Sequence, residues 1–332
     1  MYWYVKLVLY LILLVFVLLV GRCGYRWIVA PRLESAAERR ERVEQDVEPE
    51  DQPVATPADR TRPRERRAVA LPAEQQRVLD TAARQLDGGN LLAARALAHR
   101  VLQFDQAEIF SAPWWEAAKI VSQVNTRVVN TDMPAPEKQR YRVQEGDALA
   151  RIARRFGTTV EAIQRMNNMT PERSMIYVGD ILYVLEGDWS ILVSKEHFAL
   201  VLYNGDELFK VYEVGIGRQD RTPTGTFVVR NKLREPDWTP PGRRIPYGDP
   251  ENVLGTRWIG LLPVGDTDPT LSGYGIHGTW EPETIGTAAS QGCVRLRNQE
   301  VEELYALIPH PRWGEQALRE NPERGILVTI QE

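Results

Sequence analysis

Cys293 and His277 are the residues whose types and spacing suit covalent chemistry. The cysteine lies in Ser290-Gln291-Gly292-Cys293-Val294-Arg295-Leu296, sixteen residues after the histidine of Tyr274-Gly275-Ile276-His277-Gly278-Thr279. A free cysteine titrates near pH ~8.5, so only a small fraction is thiolate at neutral pH. A neighbouring imidazole takes the thiol proton and stabilises the thiolate as an ion pair, which assigns His277 as base and later as acid. Gly292 has no side chain, so a carbonyl can approach the backbone closely. The Gly292 and Cys293 amides are therefore the expected oxyanion hole. The planar guanidinium of Arg295 suits fixing the loop or meeting a carboxylate. Ser290 is expected to hydrogen-bond within the loop. The only other cysteine is Cys23. One cysteine and one nearby histidine do not make a zinc set, so no metal and no cofactor are expected. His99, His197 and His310 lie outside these motifs and read as surface or packed residues.

Strands must carry this pair. Ile191–Val193, Phe198–Tyr203 and Lys210–Ile216 alternate as strands, with Asn204-Gly205 as a type I′ turn signal. Thr222-Pro223-Thr224-Gly225-Thr226-Phe227 turns into Val228-Val229. One helix is expected at 298–307, where Val301, Leu304, Tyr305 and Ile308 share a face, and a last strand at 325–330. The result is a mostly-β domain over 189–332.

A smaller module precedes it, at 139–186. Tyr141-Arg142-Val143 reads as a strand and Gly146-Asp147 as a turn and N-cap. Leu149, Ile152, Ala153 and Phe156 fall at helical spacing. Thr158-Thr159-Val160-Glu161 reads as a capping box for a second helix. Gly179-Asp180 turns into the strand Ile181–Val184. The order is β-α-α-β. Upstream, 73–131 has helical period, with two stripes (Val78 to Leu86, Leu92 to Leu102) around Gly88-Gly89-Asn90 and a third stretch after Pro113. This segment reads as a small helical spacer, tetratricopeptide-like at best, with no partner identified.

Two resemblances follow from these motifs. Tyr141 to Asp147, Ile152 to Gly157, Asn167 and Gly179 to Leu182 resemble a LysM domain. That resemblance implies binding to N-acetylglucosamine-containing glycan strands, with Gly146, Asp147, Ala148, Ile176 and Gly179 in the groove-forming loops. From about Trp189 onward the chain resembles the L,D-transpeptidase catalytic domain, also called YkuD-like. Its carriers are Gly217, Thr222 to Phe227, Leu254-Gly255, Tyr274 to Thr279 and Ser290 to Leu296.

The second resemblance implies a β-sandwich-like fold and a cysteine acyl-enzyme acting on peptidoglycan stem peptides. It also implies that the Gly278 carbonyl orients the His277 ring and that carbapenem-type β-lactams acylate the cysteine. Tyr274, Ser290, Gln291 and Arg295 are the supporting positions. Gln291 departs from the family, which commonly has histidine there; glutamine cannot titrate. The expected reaction attacks a tetrapeptide stem and passes the acyl group to an amine, forming a cross-link. Water as acceptor would make the protein an L,D-carboxypeptidase, and a protein amine an anchoring enzyme. A non-catalytic wall-binding protein is the remaining alternative.

The chain's ends and bulk bound the setting. Leu7 to Val20 is an unbroken apolar run, extended by Met1 to Val5, so 1–24 reads as a transmembrane anchor, with a cleaved signal segment as the rival. Residues 25–72 are a proline-rich, charged linker expected to be disordered. Arg22, Arg26 and Arg32 after the span favour a cytoplasmic C-terminal side. Long C-terminal domains translocate with little regard to charge, and stem peptides lie outside the membrane. The expected placement is therefore a single-pass protein of the bacterial cytoplasmic membrane, with its catalytic domain in the periplasm or wall. A net charge of −4 and an isoelectric point near 5.8 give no electrostatic case for nucleic acid.

Overall fold

The computed structural model describes residues 69–170, 172 and 175–332. The expected anchor at 1–24 and nearly all of the linker lie outside the described residues. Among the described residues no helix is long and apolar enough to cross a membrane.

Three helices come first: α1 (Ala73–Asp87), α2 (Leu91–Leu102) and α3 (Ala112–Asn130). Ser111 caps α3, accepting from the Trp114 amide. The β-α-α-β module follows as β1 (Lys138–Arg142), α4 (Leu149–Arg155), α5 (Val160–Met166) and β2 (Ile181–Leu185), with β1 and β2 antiparallel. Its own core is Val143, Leu149, Ile152, Ala153, Ile163, Leu182 and Val184.

Two local expectations change here. Asp147 is not the N-cap of α4; Ala148 holds that position, and the Asp147 carboxylate instead accepts from the Gln144 amide at 2.8 Å and Tyr141 Oη at 2.7 Å. Thr159 rather than Thr158 caps α5, through the Ala162 amide at 2.9 Å, while Glu161 turns outward to Arg165 and Arg234.

The remaining strands are β3 (Trp189–Ser194), β4 (Ala199–Asn204), β5 (Glu207–Glu213), β6 (Ile216–Gly217), β7 (Gly225–Arg234), β8 (Arg257–Pro263), β9 (Gly275–His277), β10 (Ala288–Ser290), β11 (Val294–Arg295) and β12 (Leu327–Gln331). Helices α6 (Asn298–Leu307) and α7 (Glu315–Glu320) lie before β12. Asn204 pairs with Glu207, so the β4–β5 turn is centred on Gly205-Asp206 rather than on Asn204-Gly205. Only Gly205 of that turn has positive φ.

Eight strands form one mixed sheet in the order β11-β9-β8-β7-β12-β3-β4-β5, and β6 pairs with β10 in a separate parallel ladder. Gly215, two residues beyond β5, exchanges hydrogen bonds with Arg295 of β11 at 2.9 and 2.8 Å. The first and last strands of the sheet are thereby linked. The expected sandwich-like domain is thus one sheet curled until its ends meet. Apolar side chains of its strands and of α6 fill one continuous core, including Leu200, Leu202, Phe227, Ile259, Ile276, Val301 and Leu304.

The first three helices are more than a spacer. They share a second core with Ala199, Val201, Leu208 and Val211 of β4 and β5. Helix α3 also serves the β5 edge directly. Ser122 Oγ accepts from the Val211 amide at 2.9 Å, and Asn125 Nδ2 donates to the Phe209 carbonyl at 2.8 Å. An edge strand that would otherwise present unpaired backbone is closed by side chains. The β-α-α-β module is docked as well: Ala162 and Met166 of α5 belong to the main core, and Thr159 Oγ1 donates to the Ala306 carbonyl of α6.

Candidate active site

Strand β9 ends at His277 and is paired on both sides. It is antiparallel to β8, with Trp258 opposite His277, and parallel to β11, with Val294 opposite Ile276 and Arg295 opposite His277. Cys293 precedes β11 by one residue, so the register sets it beside Gly275. Residues two apart share a face of a strand, so Gly275 and His277 face the same side. The cysteine and histidine motifs are therefore neighbours in one sheet.

His277 is 3% exposed, its ring stacked on Trp258 with centroids 5.8 Å apart and 22° between planes. Its Nδ1 lies 2.6 Å from the Gly278 carbonyl oxygen. A carbonyl only accepts, so Nδ1 carries the proton of the neutral ring and Nε2 is the basic nitrogen. Burial depresses the pKa of His277 to about 4; the Gly278 and Leu254 carbonyls act the other way, and the Arg295 charge adds to the depression.

Cys293 is half-buried, with Sγ 3.7 Å from the Gly273 carbonyl. Burial pushes its thiol up to about 11, opposed by a hydrogen bond from the Gly275 amide and by the charge of Arg295. Both shifts favour uncharged forms. Burial therefore works against the ion pair expected from residue types alone. His277, the more deeply buried partner, carries that conclusion further than the partly exposed cysteine does.

The cysteine loop is held from three directions. Ser290 Oγ donates to the Cys293 carbonyl at 2.6 Å and accepts from the Gly292 amide at 3.1 Å. Buried Thr222 accepts from the Gly217 amide at 2.7 Å and donates to the Gly292 carbonyl at 2.9 Å. Arg295 Nη1 reaches Glu281 Oε2 at 3.0 Å and Thr284 Oγ1 at 3.3 Å. Gly292 has φ +138°, and a Cβ there would stand 2.9 Å from the Tyr274 ring and 3.0 Å from the Arg221 carbonyl. A side chain at 292 is thus excluded by both conformation and space.

This arrangement changes one expected feature. The Gly292 amide is occupied by Ser290, so it is not offered to an oxyanion. The Cys293 amide has no acceptor among the described residues, and the Gly275 amide already points at the sulfur. Gln291 is exposed. Thr222, Trp258, Leu254 and Glu281 gained roles that their types did not announce. Thr222 and Leu254 stood in recognised motifs, which was the one available signal. Among the described residues no three His, Cys, Asp or Glu side chains gather as a metal site.

In the β-α-α-β module, the Gly179 amide donates to the Val143 carbonyl and the Val143 amide to the Asp180 carbonyl, both at 2.9 Å. These bonds draw the Gly146–Ala148 and Gly179 loops together. Ile176 packs against the module's core, whereas Met175, Tyr177 and Val178 are 66%, 64% and 69% exposed. The outward apolar surface is thus made by residues flanking the one singled out from sequence.

A model of the L,D-transpeptidase catalytic domain matches residues 188–319, and a LysM domain model matches residues 141–184. The Bacillus subtilis protein YqjB, which carries an L,D-transpeptidase assignment, is 39% identical over 126 residues, spanning 38% of this chain and 69% of that one. YkuD of Bacillus licheniformis, with the same assignment, is 32% identical over 180 residues, 51% of this chain and 93% of that one. YkuD of Bacillus subtilis is 29% identical over 177 residues, with the same coverage. With its paired Cys293 and His277 strands inside the matched region, the chain belongs to the L,D-transpeptidase family.

Proposed function

We propose that this L,D-transpeptidase works through a Cys293 thioester on peptidoglycan tetrapeptide stems. The observation that carries the reading is the Nδ1 contact to the Gly278 carbonyl, which leaves Nε2 of a neutral His277 as an available base. In the first step the thiol proton passes to Nε2 as sulfur attacks the stem carbonyl. The carbon–nitrogen bond then breaks, and the departing terminal D-residue takes that proton. In the second step an acceptor amine gives a proton to His277 and attacks the thioester, restoring the thiol. The Cys293 amide supports the developing oxyanion, and Gly275 shares in it once the sulfur is acylated. Because burial favours the uncharged form of each group, the proton moves as substrate arrives, not beforehand.

The LysM domain binds the glycan strand with Met175, Tyr177 and Val178 beside the Gly146–Ala148 loop, and residues 1–24 anchor the chain to the cytoplasmic membrane, placing catalysis in the periplasm or wall. Carbapenem-type β-lactams acylate the same sulfur. The test is to incubate wild-type and Cys293→Ala chains with disaccharide-tetrapeptides and to identify products by mass spectrometry. Cross-linked dimers from wild type alone support the reading. Tripeptide products alone would assign the carboxypeptidase reaction, and no product from either chain would favour a non-catalytic wall binder.

A further inference from the structure

Strand alternation separates two faces of the β7–β8–β9 region. Trp258 and His277 lie on one; Lys232, Arg234 and Arg257 lie on the other, through the pairs Lys232–Ile259 and Arg234–Arg257. The second face looks toward α6 and the LysM helices, away from the cysteine loop. Between them is a cavity of about 730 Å³. That volume is of the size that holds a small organic molecule.

The lining is strongly cationic in a chain whose net charge is −4. Arg154, Lys232, Arg234 and Arg312 border the cavity, against a single carboxylate, Glu161. Glu161 is already paired with Arg165 and Arg234. Lys232 is 5% exposed; its ammonium donates to the carbonyls of Tyr305 and Ile308 and sits 4.0 Å from the Tyr305 ring centroid. No carboxylate among the described residues lies within ion-pair distance of it. Thr158 is 3% exposed, borders the cavity, and its Oγ1 has no hydrogen-bond partner. Pro309, Pro311 and Val160 supply apolar wall. A buried cation without a counter-charge and a buried hydroxyl without a partner each cost stability, and both residues line this one cavity.

We propose that this cavity is a second binding site, for a small organic anion whose carboxylate or phosphate head meets Lys232, Arg234 and Thr158 and whose body lies on the proline wall. The ligand would touch both the LysM and catalytic domains and so clamp their junction. Burial holds Lys232 down to about 7, with Arg234 and Arg257 adding to the effect and Glu161 opposing it. His310 is also held below its ordinary value by burial, with Lys232 and Arg234 adding to the effect, and Arg154 and Arg312 are the other cations at the cavity. Affinity should therefore weaken as pH rises through 7 and Lys232 loses its proton.

Calorimetric titration of the full chain at low salt with glutarate, and separately with glycerol 3-phosphate, tests the site. Saturable binding of either supports it, and the arm that binds identifies the head group. The Lys232→Met chain should lose about tenfold in affinity and the exposed-site variant Arg312→Gln about threefold, as expected for charge-assisted contacts. Cys293→Ala should bind as wild type does, which separates this site from the reaction centre whatever the outcome for the thioester. Circular dichroism checks the fold of Lys232→Met; if that variant is unfolded, Arg312→Gln and Arg154→Gln decide. Neither probe binding below about 10 mM, or equal affinity in the folded variants and wild type, overturns the proposal.

Discussion

At the scale of residues, the central feature is a thiol and an imidazole whose burial favours the uncharged form of each. Alkylation of Cys293 by iodoacetamide should therefore rise with pH through a midpoint above that of an ordinary cysteine, since burial pushes this thiol up to about 11. A midpoint below 7 would show a preformed ion pair instead. His277 has a separate consequence for stability. Its folded pKa, about 4, lies below the ordinary 6.5, so the folded state resists protonation. The contribution is complete above pH 6.5 and is lost as pH falls from 6.5 through 4, by about 3 kcal/mol at most. Urea denaturation across that range should show the loss in wild type and a flatter profile in His277→Gln. The contacts of Ser290 within its loop were legible in the sequence because they join residues no more than three apart, and the His277–Gly278 contact was what the family resemblance implied. The preference for uncharged forms was not legible, because burial depends on Trp258 and the curled sheet.

At the scale of elements, Thr222 bonds Gly217 of its own turn and Gly292 of the cysteine loop, 70 residues further on. Thr222→Val keeps the shape and removes both bonds. Leaving buried backbone groups unpaired should cost about 1–3 kcal/mol. As Thr222 positions the cysteine loop without touching substrate, kcat should fall while KM changes little, and Thr222→Ser should restore most of the rate. Equal kinetics in Thr222→Val and wild type would remove the residue from the mechanism. Strands β3, β4, β5, β7 and β12 and helix α6 were readable from alternation and turn residues, whereas the short strands β9 to β11, strand β8 and helix α7, a second helix where one was expected, were not. The pairing of the strands was not readable either. The Gly215–Arg295 bridge, the parallel β9–β11 ladder and the closure of the β5 edge by Ser122 and Asn125 all join residues far apart in sequence. The helical period over 73–131 shows the helices without naming what they pack on, so the partner of α3, which buries all but one stripe of its surface, was not legible.

At the scale of the whole molecule, the described chain is one packed body in which helices, LysM domain and catalytic sheet share cores. Removing 69–131 would expose Ala199, Val201, Leu208 and Val211 and open the β5 edge. The truncated chain should aggregate, as sedimentation velocity would show; a monodisperse, active truncation would contradict the cover role. Tyr177→Ala should reduce co-sedimentation with peptidoglycan sacculi while turnover on a soluble disaccharide-tetrapeptide stays unchanged, because the proposed glycan-binding patch lies outside the cysteine site. The most direct test of the central claim is to quench the full chain during turnover on disaccharide-tetrapeptide and measure its intact mass. The mechanism predicts an adduct of the disaccharide-tripeptide acyl group, mapped by peptide digestion to Cys293 and absent from Cys293→Ala. Turnover that persists in Cys293→Ala, or an adduct on any other residue, would contradict it.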